Sequence, residues 1–328
     1  MTGPVLVTGS NGFLGPYVCR VLRRRGLRVR GTVLSGTLPP SDVDEALTIT
    51  GLDDVRGLAA AAAGASAIVH LAARVHVMRD RAADPLADYR RVNVEGTRAV
   101  LEAAATTGVR RFVFVSSVKA VGEATEVPWS DDETPAPVDP YGISKLEAER
   151  LALETSPGLG VETVVLRLPL AYGAGVRGNM LRLLQLVDRG VPLPFGGLAN
   201  RRSLVFAGNV AWAIGQVLAT AGIAGRTFFL SDGEDLSTPE LIRRIAMALG
   251  RPARLVSIRP ALFAAAGLVG DALARFGPFP LSSAVARRLT GSLLVDASGF
   301  ARVAGAMPFS VDEGLAETAR WFRGARAE

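Results

Sequence analysis

Tyr141 and Lys145 stand four residues apart in Tyr141-Gly142-Ile143-Ser144-Lys145. On a helix that spacing puts both side chains on one face, about one turn apart. An ammonium held there stabilises a phenolate and is expected to draw the phenol from a pKa of about 10 toward neutrality, making a usable general acid or base. The same spacing occurs in ordinary surface pairs. Lysine usage argues for the functional reading: of 37 basic residues only Lys119 and Lys145 are lysine, and the other 35 are arginine. A chain that writes arginine wherever generic positive charge serves keeps lysine where a guanidinium fails.

Two further groups could act with that pair. Ser116-Ser117-Val118-Lys119 follows the apolar run Phe112-Val113-Phe114-Val115 directly. A hydroxyl at the C-terminal end of a strand could hold a reacting oxygen and relay a proton to Tyr141, although a turn-capping serine looks the same in sequence. Near the start, Thr8-Gly9-Ser10-Asn11-Gly12-Phe13-Leu14-Gly15 places glycines three apart between an apolar run and a helical pattern. Gly9 suits a tight turn, Gly12 lets backbone approach a pyrophosphate, Gly15 permits close helix packing, and the helix N-terminus favours the negative charge. The end of the next strand, where an acid would hold the ribose hydroxyls of NAD, reads Val33-Leu34-Ser35. Neither an acid nor an arginine stands at Val33 or Leu34, so NAD or NADP both remain open, leaning to NADP.

These residues need a sheet to position them. Short apolar runs at Pro4 to Thr8, Arg28 to Leu34, Ala67 to Leu71, Arg111 to Ser116 and Val161 to Leu168 predict strands. Helical patterns fill Leu52 to Ala63, Tyr89 to Thr107 and Tyr141 to Thr155 between them. That alternation predicts an α/β fold, a doubly wound parallel sheet covered on both faces. After about residue 170 it loosens. A helix is expected at Val210 to Ala221 and a strand at Thr227 to Leu230, with capped helix starts at Ser237 and Ser310. The expectation is a Rossmann domain over residues 1–170, its core continuing to about 230 with interleaved segments, and a smaller mixed, mostly helical lobe over 171–328.

Composition bounds the rest. The 328 residues are 49% hydrophobic and 21% charged, which excludes disorder and disulfide-rich or collagen-like classes. Cys19, the one cysteine, cannot close an internal disulfide, and no signal-like segment opens the chain, so a cytoplasmic enzyme is expected. A net charge of +6 invites a nucleic-acid reading, but the basic residues are scattered and aromatics make up 6%. No nucleic-acid partner and no metal are expected. The stretch Pro260 to Phe276 contains Asp271 and Arg275 and falls short of a membrane span; it is read as a buried helix.

Taken together, the glycine pattern, His70-Leu71-Ala72-Ala73, Asn93 in Asn93-Val94-Glu95-Gly96-Thr97, Ser116-Ser117, Tyr141-x-x-x-Lys145 and Arg167-Leu168-Pro169 resemble the extended short-chain dehydrogenase/reductase superfamily. Within it they resemble the NAD-dependent epimerase/dehydratase family and its nucleotide-sugar branch. The resemblance implies Tyr141 as acid/base, Lys145 as its partner on the nicotinamide ribose, and Ser117 as the hydroxyl that orients the reacting oxygen. It implies cofactor contacts from Gly9, Asn11, Gly12, Phe13, Leu14, Gly15, Leu71, Ala72, Ala73, Asn93, Ser116 and Leu168, as well as Tyr141 and Lys145. In the smaller lobe Asn179 and Arg202 resemble contacts to a nucleotide diphosphate, with Arg288 a third candidate, since a guanidinium fork binds two phosphate oxygens at once. Lys119 is placed beside the sugar or its phosphates. His70, in an apolar strand without a carboxylate partner in view, is read as structural.

The 4,6-dehydratases of the family carry an Asp-Glu pair where this chain has Val118 and Lys119, which disfavours dehydration. Ser116-Ser117-Val118-Lys119, with Arg74-Val75-His76-Val77-Met78, looks most like a subgroup of UDP-glucose 4-epimerase-like enzymes or 4-keto-sugar reductases from bacterial surface-polysaccharide pathways. A UDP-sugar substrate and a homodimer through segments 89–107 and 141–155 are implied. A catalytically silent NAD(P)-binding sensor or scaffold on the same fold is the competing reading, and the presence of both Tyr141 and Lys145 weighs against it.

Overall fold

Every residue of β1 (Val5–Thr8) is buried, as a strand flanked on both faces requires. The computed structural model describes residues 3–75, 84–273 and 282–325. After β1 come α1 (Gly15–Arg24), β2 (Val29–Leu34), β3 (Glu45–Ile49), α2 (Val55–Ala62), β4 (Ala67–His70), α3 (Pro85–Arg90) and α4 (Gly96–Thr106). They are followed by β5 (Arg111–Ser117), α5 (Pro140–Thr155), β6 (Glu162–Leu168), β7 (Leu170–Tyr172), α6 (Gly178–Asp188), β8 (Arg202–Phe206) and α7 (Ala207–Ala219). The chain ends with β9 (Thr227–Phe229), β10 (Asp235–Leu236), α8 (Thr238–Leu249), α9 (Pro260–Leu273), α10 (Ser283–Thr290), α11 (Ser298–Ala304) and α12 (Val311–Gly324).

Seven strands form one sheet in the order β3-β2-β1-β4-β5-β6-β9, every pairing parallel. Successive side chains point to opposite faces, so the strands feed two cores. Val5, Val7, Val69, Val113 and Leu166 join the larger core with α1 and α7. Leu6, Ile68, Phe112, Phe114 and Val165 join the other with α2, α4 and α5. The order reverses beside β1, between β1 and β4, and the C-terminal ends of the strands at such a switch point form a binding crevice. Thr8, His70, Ser117 and Leu168 stand at those ends.

The chain after β6 builds a smaller sheet, β10-β8-β7, parallel between β7 and β8 and antiparallel between β8 and β10, wrapped by helices. β9 nevertheless returns to the large sheet beside β6.

Four expectations change. β3 has no apolar run to announce it, because as an edge strand it buries only Ile49 fully. The helix expected over Tyr89 to Thr107 is three pieces: α3, a π-helical turn at Arg91–Glu95, and α4. The helix expected to reach Ala221 stops at Ala219. The stretch from Pro260 is a helix to Leu273, but not a buried one: Leu262 is 59% exposed, Leu268 67% and Val269 57%. His76, Val77, Met78, Arg275 and Phe276 lie outside the described residues.

Candidate active site

The turn after β1 is as tight as its glycines suggest. Gly9 sits at φ +68°, and a side chain there would meet the Ala72 backbone at 2.9 Å, while one on Gly15 would lie 2.0 Å from the Ser10 carbonyl. α1 begins at Gly15 with Pro16 in its first turn, and no side chain caps its N-terminus. Its open amides therefore face the crevice at the positive end of the helix, an arrangement suited to a pyrophosphate. Phe13 and Leu14 are half-buried beside it, and exposed Asn11 donates to Thr37 Oγ1 at 3.0 Å.

Across the crevice, Leu71, Ala72 and Ala73 run on from β4, half-buried. Thr8 fastens this segment: its Oγ1 accepts from Ala72 N at 3.3 Å and lies 2.7 Å from His70 Nδ1. Because Thr97 Oγ1 donates to the Asn93 carbonyl, it accepts from His70 Nε2 at 3.2 Å, which fixes the His70 proton on Nε2 and leaves Nδ1 to accept from Thr8. Burial, with the Lys145 charge second, pushes His70 down to about 3, so it is a neutral strut at working pH. Asn93, in the π-helical turn, accepts from Arg74 N at 2.8 Å and donates to Arg74 O at 3.0 Å and Ser144 Oγ at 2.9 Å. Its amide is thus occupied by protein groups and ties the 71–74 segment to α5.

α5 owes its start to Asp139, whose carboxylate accepts from Gly142 N at 2.6 Å with Pro140 at the first helical position. A side chain at Gly142 would lie 2.2 Å from the Lys119 carbonyl, so α5 and the short 3₁₀ turn after β5 touch backbone to backbone. This approach sets Tyr141 near the Ser117 hydroxyl, which accepts from Lys119 N at 3.2 Å and lowers the phenol's pKa. Lys145, one turn further and 2% exposed, donates to the Val115 carbonyl at 2.9 Å, its ammonium 4.1 Å from the Phe114 ring centroid.

The electrostatics correct one expectation. Tyr141 is pushed up to about 12, not down toward neutrality: burial outweighs the lowering effect of the Ser117 hydroxyl, and Asp139, Tyr89 and Glu149 add negative or competing groups. Lys145 is itself pushed down to about 7 by burial, against the opposing pull of Glu149. Its bond goes to Val115 O, and desolvation of both partners dominates over their attraction.

The other candidates divide. Lys119 is ion-paired with Glu123 and lies 3.5 Å from the second oxygen of Asp139, so it braces the α5 cap instead of standing free for a substrate. Arg288 reaches Glu123 at 3.5 Å, and the Arg202 guanidinium donates to the Arg288 and Gly291 carbonyls. The fold thus gathers Lys119, Arg202 and Arg288 around two carboxylates and two carbonyls. The buried Arg202 Nε has no hydrogen-bond partner among the described residues. Asn179 is exposed in the first turn of α6, with no side-chain hydrogen bond among the described residues. Sequence reasoning missed Glu123, Asp139 and Ser144; Asp139-Pro140 ahead of a helical pattern was the available signal, being a capping residue before a first-turn proline.

A nicotinamide dinucleotide fits what is present. The uncapped helix end and the Gly9 and Ala72 backbones would line its phosphate side, and Ser116 Oγ, buried at the end of β5 without a hydrogen-bond partner among the described residues, is a polar group in need of one. Leu168 closes the crevice at the end of β6, 5% exposed.

Comparison with known proteins agrees with this geometry. Residues 5–230 match the model of the NAD dependent epimerase/dehydratase family. Over 328 residues the chain is 34% identical to a UDP-glucose 4-epimerase of Vibrio cholerae, covering 98% of this chain and 96% of that one. It is 32% identical over 266 residues to a dTDP-glucose 4,6-dehydratase of Streptomyces griseus, covering 76% and 80%. The solved structure of MoeE5 in complex with UDP-glucose and NAD superposes with a TM-score of 0.77 at 25% identity, covering 99% of this chain and 100% of that one.

Proposed function

Because the chain belongs to the NAD dependent epimerase/dehydratase family, we propose that it transfers a hydride at C4 of a UDP-hexose or UDP-N-acetylhexosamine, as a 4-epimerase or a 4-keto reductase, in surface-polysaccharide sugar-nucleotide metabolism. The observation that carries this reading is the convergence of Ser117, at the C-terminal end of β5, with Tyr141 and buried Lys145 in the first turns of α5, where the two elements meet backbone to backbone.

A bound nicotinamide dinucleotide would supply the hydride chemistry, as acceptor and then donor in an epimerase or, already reduced, as donor in a reductase. Tyr141 exchanges a proton with the C4 oxygen, and Ser117 orients that oxygen within the same hydrogen-bond path. Pushed up to about 12 by burial, the phenol is protonated at neutral pH, which supports the direction that donates a proton to a keto oxygen. Lys145 stands ready to charge or discharge near neutral pH. Arg202 and Arg288 are assigned to the diphosphate, the bare Nε of Arg202 being the group that most needs an anionic oxygen. Dehydration draws no support: Val118 is buried and Lys119 is held by carboxylates, so neither replaces an acid/base pair.

The test is turnover followed by NMR with UDP-glucose, UDP-N-acetylglucosamine and their 4-keto forms, with and without NADH or NADPH. Conversion at C4 without added reductant identifies the epimerase; consumption of reductant only with a 4-keto sugar identifies the reductase. Tyr141→Phe is expected to lower turnover by ~10²–10⁴-fold, the usual contribution of a positioned acid/base, with dinucleotide affinity unchanged. Turnover at the wild-type rate in that variant refutes the assignment.

A further inference from the structure

α9 is apolar on the side it shows to solvent as well as on the side it packs. Inward, Phe263 stacks on Phe195 with ring centroids 6.0 Å apart, and Gly267 lets α9 close on α10, a side chain there lying 2.8 Å from Ser283 Cα. Outward, Leu262, Ala265, Leu268 and Val269 share one exposed face at helical spacing. A solvated helix would carry charge there. Asp271 is the only ionisable residue among its 14, and it is turned to the α10 start, accepting from Ser283 N at 3.1 Å. No described residue covers the outward face.

The surroundings say what could. Arg254 and Arg259, both exposed just before α9, form no ion pair among the described residues, and exposed Arg287 lies in the last turn of α10. Residues 251–273 and 282–290 hold five arginines and one acid, Asp271; Arg251 and Arg288 are ion-paired with Asp188 and Glu123, which leaves Arg254, Arg259 and Arg287 as the basic groups of this region. An exposed apolar helix face led into by exposed arginines matches a surface with hydrocarbon beneath and anionic headgroups above. A second copy of the chain fits less well, since a two-fold contact would set these arginines against their own copies. Spanning is not in question: 14 residues rise about 21 Å against a hydrocarbon core of about 30 Å.

We propose that the outward face of α9 with Arg254 and Arg259 is a docking surface for an anionic phospholipid bilayer, α9 lying in the headgroup plane. α10 connects this surface to the substrate lobe through Ala286, packed with Phe263 and Leu198, and through Arg288 two residues on.

Co-flotation of the full chain with vesicles tests it, using phosphatidylglycerol–phosphatidylcholine mixtures and phosphatidylcholine alone. Binding is expected to fall by about tenfold or more without phosphatidylglycerol and to weaken with salt, as paired arginine–headgroup attractions do. Leu268→Gln/Val269→Gln and Arg254→Ser/Arg259→Ser are each expected to abolish most flotation with thermal melting unchanged. Absence of flotation, or flotation that neither double variant reduces, overturns the proposal. So does a concentration-dependent dimer that Leu268→Gln/Val269→Gln dissociates without any vesicle binding. Because the readout is binding and not turnover, failure here is separable from failure of the proposed reaction.

Discussion

Lys145 is held in a place that opposes its charge. Its folded pKa of about 7 lies below the value near 10.4 of a solvated lysine, so between those limits the unfolded chain binds more protons than the folded one. Stability then rises with pH through that window, and the penalty for burying the ammonium is fully present below about pH 7. Lys145→Met keeps the stem and removes the charge. It is expected to abolish turnover yet raise the melting temperature at pH 7, with the advantage shrinking by ~2 kcal/mol between pH 7 and pH 9. Thermal melts of both proteins across that range check it; an advantage that does not depend on pH would mean the lysine is not desolvated. The sequence made the Tyr141 and Lys145 spacing legible, along with the scarcity of lysine. It could not show that Phe114, Val115 and the sheet would bury Lys145, or that desolvation would raise Tyr141 instead of lowering it, because burial comes from strands distant in the chain.

Elements place those residues through a small number of contacts, and the α5 cap is the one most open to test. Asp139 serves two partners, the Gly142 amide and Lys119. Asp139→Ala is expected to cost ~1 kcal/mol, the usual loss of an N-cap. It should also lower kcat more than it changes KM, because Tyr141 lies in the first turn that the cap secures. Asp139→Asn should recover most of the stability, as asparagine caps equally well, but not the full kcat, since it no longer pairs with Lys119. Circular dichroism melts and steady-state kinetics separate these outcomes; equal kcat loss in a variant that leaves Lys119 and the cap intact would remove Asp139 from the argument. At this scale the strands with apolar runs and the helices with caps were readable within a few residues, including the Ser310 capping box with Glu313. β3 was not, since an edge strand needs little apolar sequence, and neither was the π-helical turn, which exists because Asn93 and Thr97 bond to Arg74, Ser144 and His70 on other elements.

At the scale of the whole molecule, the large sheet and the C-terminal lobe share one core. Val311, Leu315, Ala319 and Phe322 of α12 pack in the same cluster as Val5, Val7 and Leu166 of the sheet. The Tyr17 hydroxyl on α1 donates to Glu317 at 2.6 Å and accepts from Ala174 N at 2.6 Å, joining the first helix to the last. The alternation of strands and helices suggests a boundary near residue 170 with the core continuing to about 230, and β9 joins the large sheet from residues 227–229. The decisive quantity is how much of the core the C-terminal segment supplies. Burying Val311, Leu315 and Phe322 is worth ~5–9 kcal/mol at ~1.5–3 each. That is comparable with the entire net stability of a typical domain, ~5–15 kcal/mol. A fragment of residues 1–230, matching the span shared with the family, is therefore expected not to fold, although it holds the glycine turn, Ser117, Tyr141 and Lys145. The full chain should melt in one cooperative transition, because no lobe can lose its packing without opening the common core. Scanning calorimetry of the full chain and circular dichroism of the fragment decide the matter: a fragment that melts cooperatively within a few degrees of the full chain would show that the dinucleotide half carries its own core.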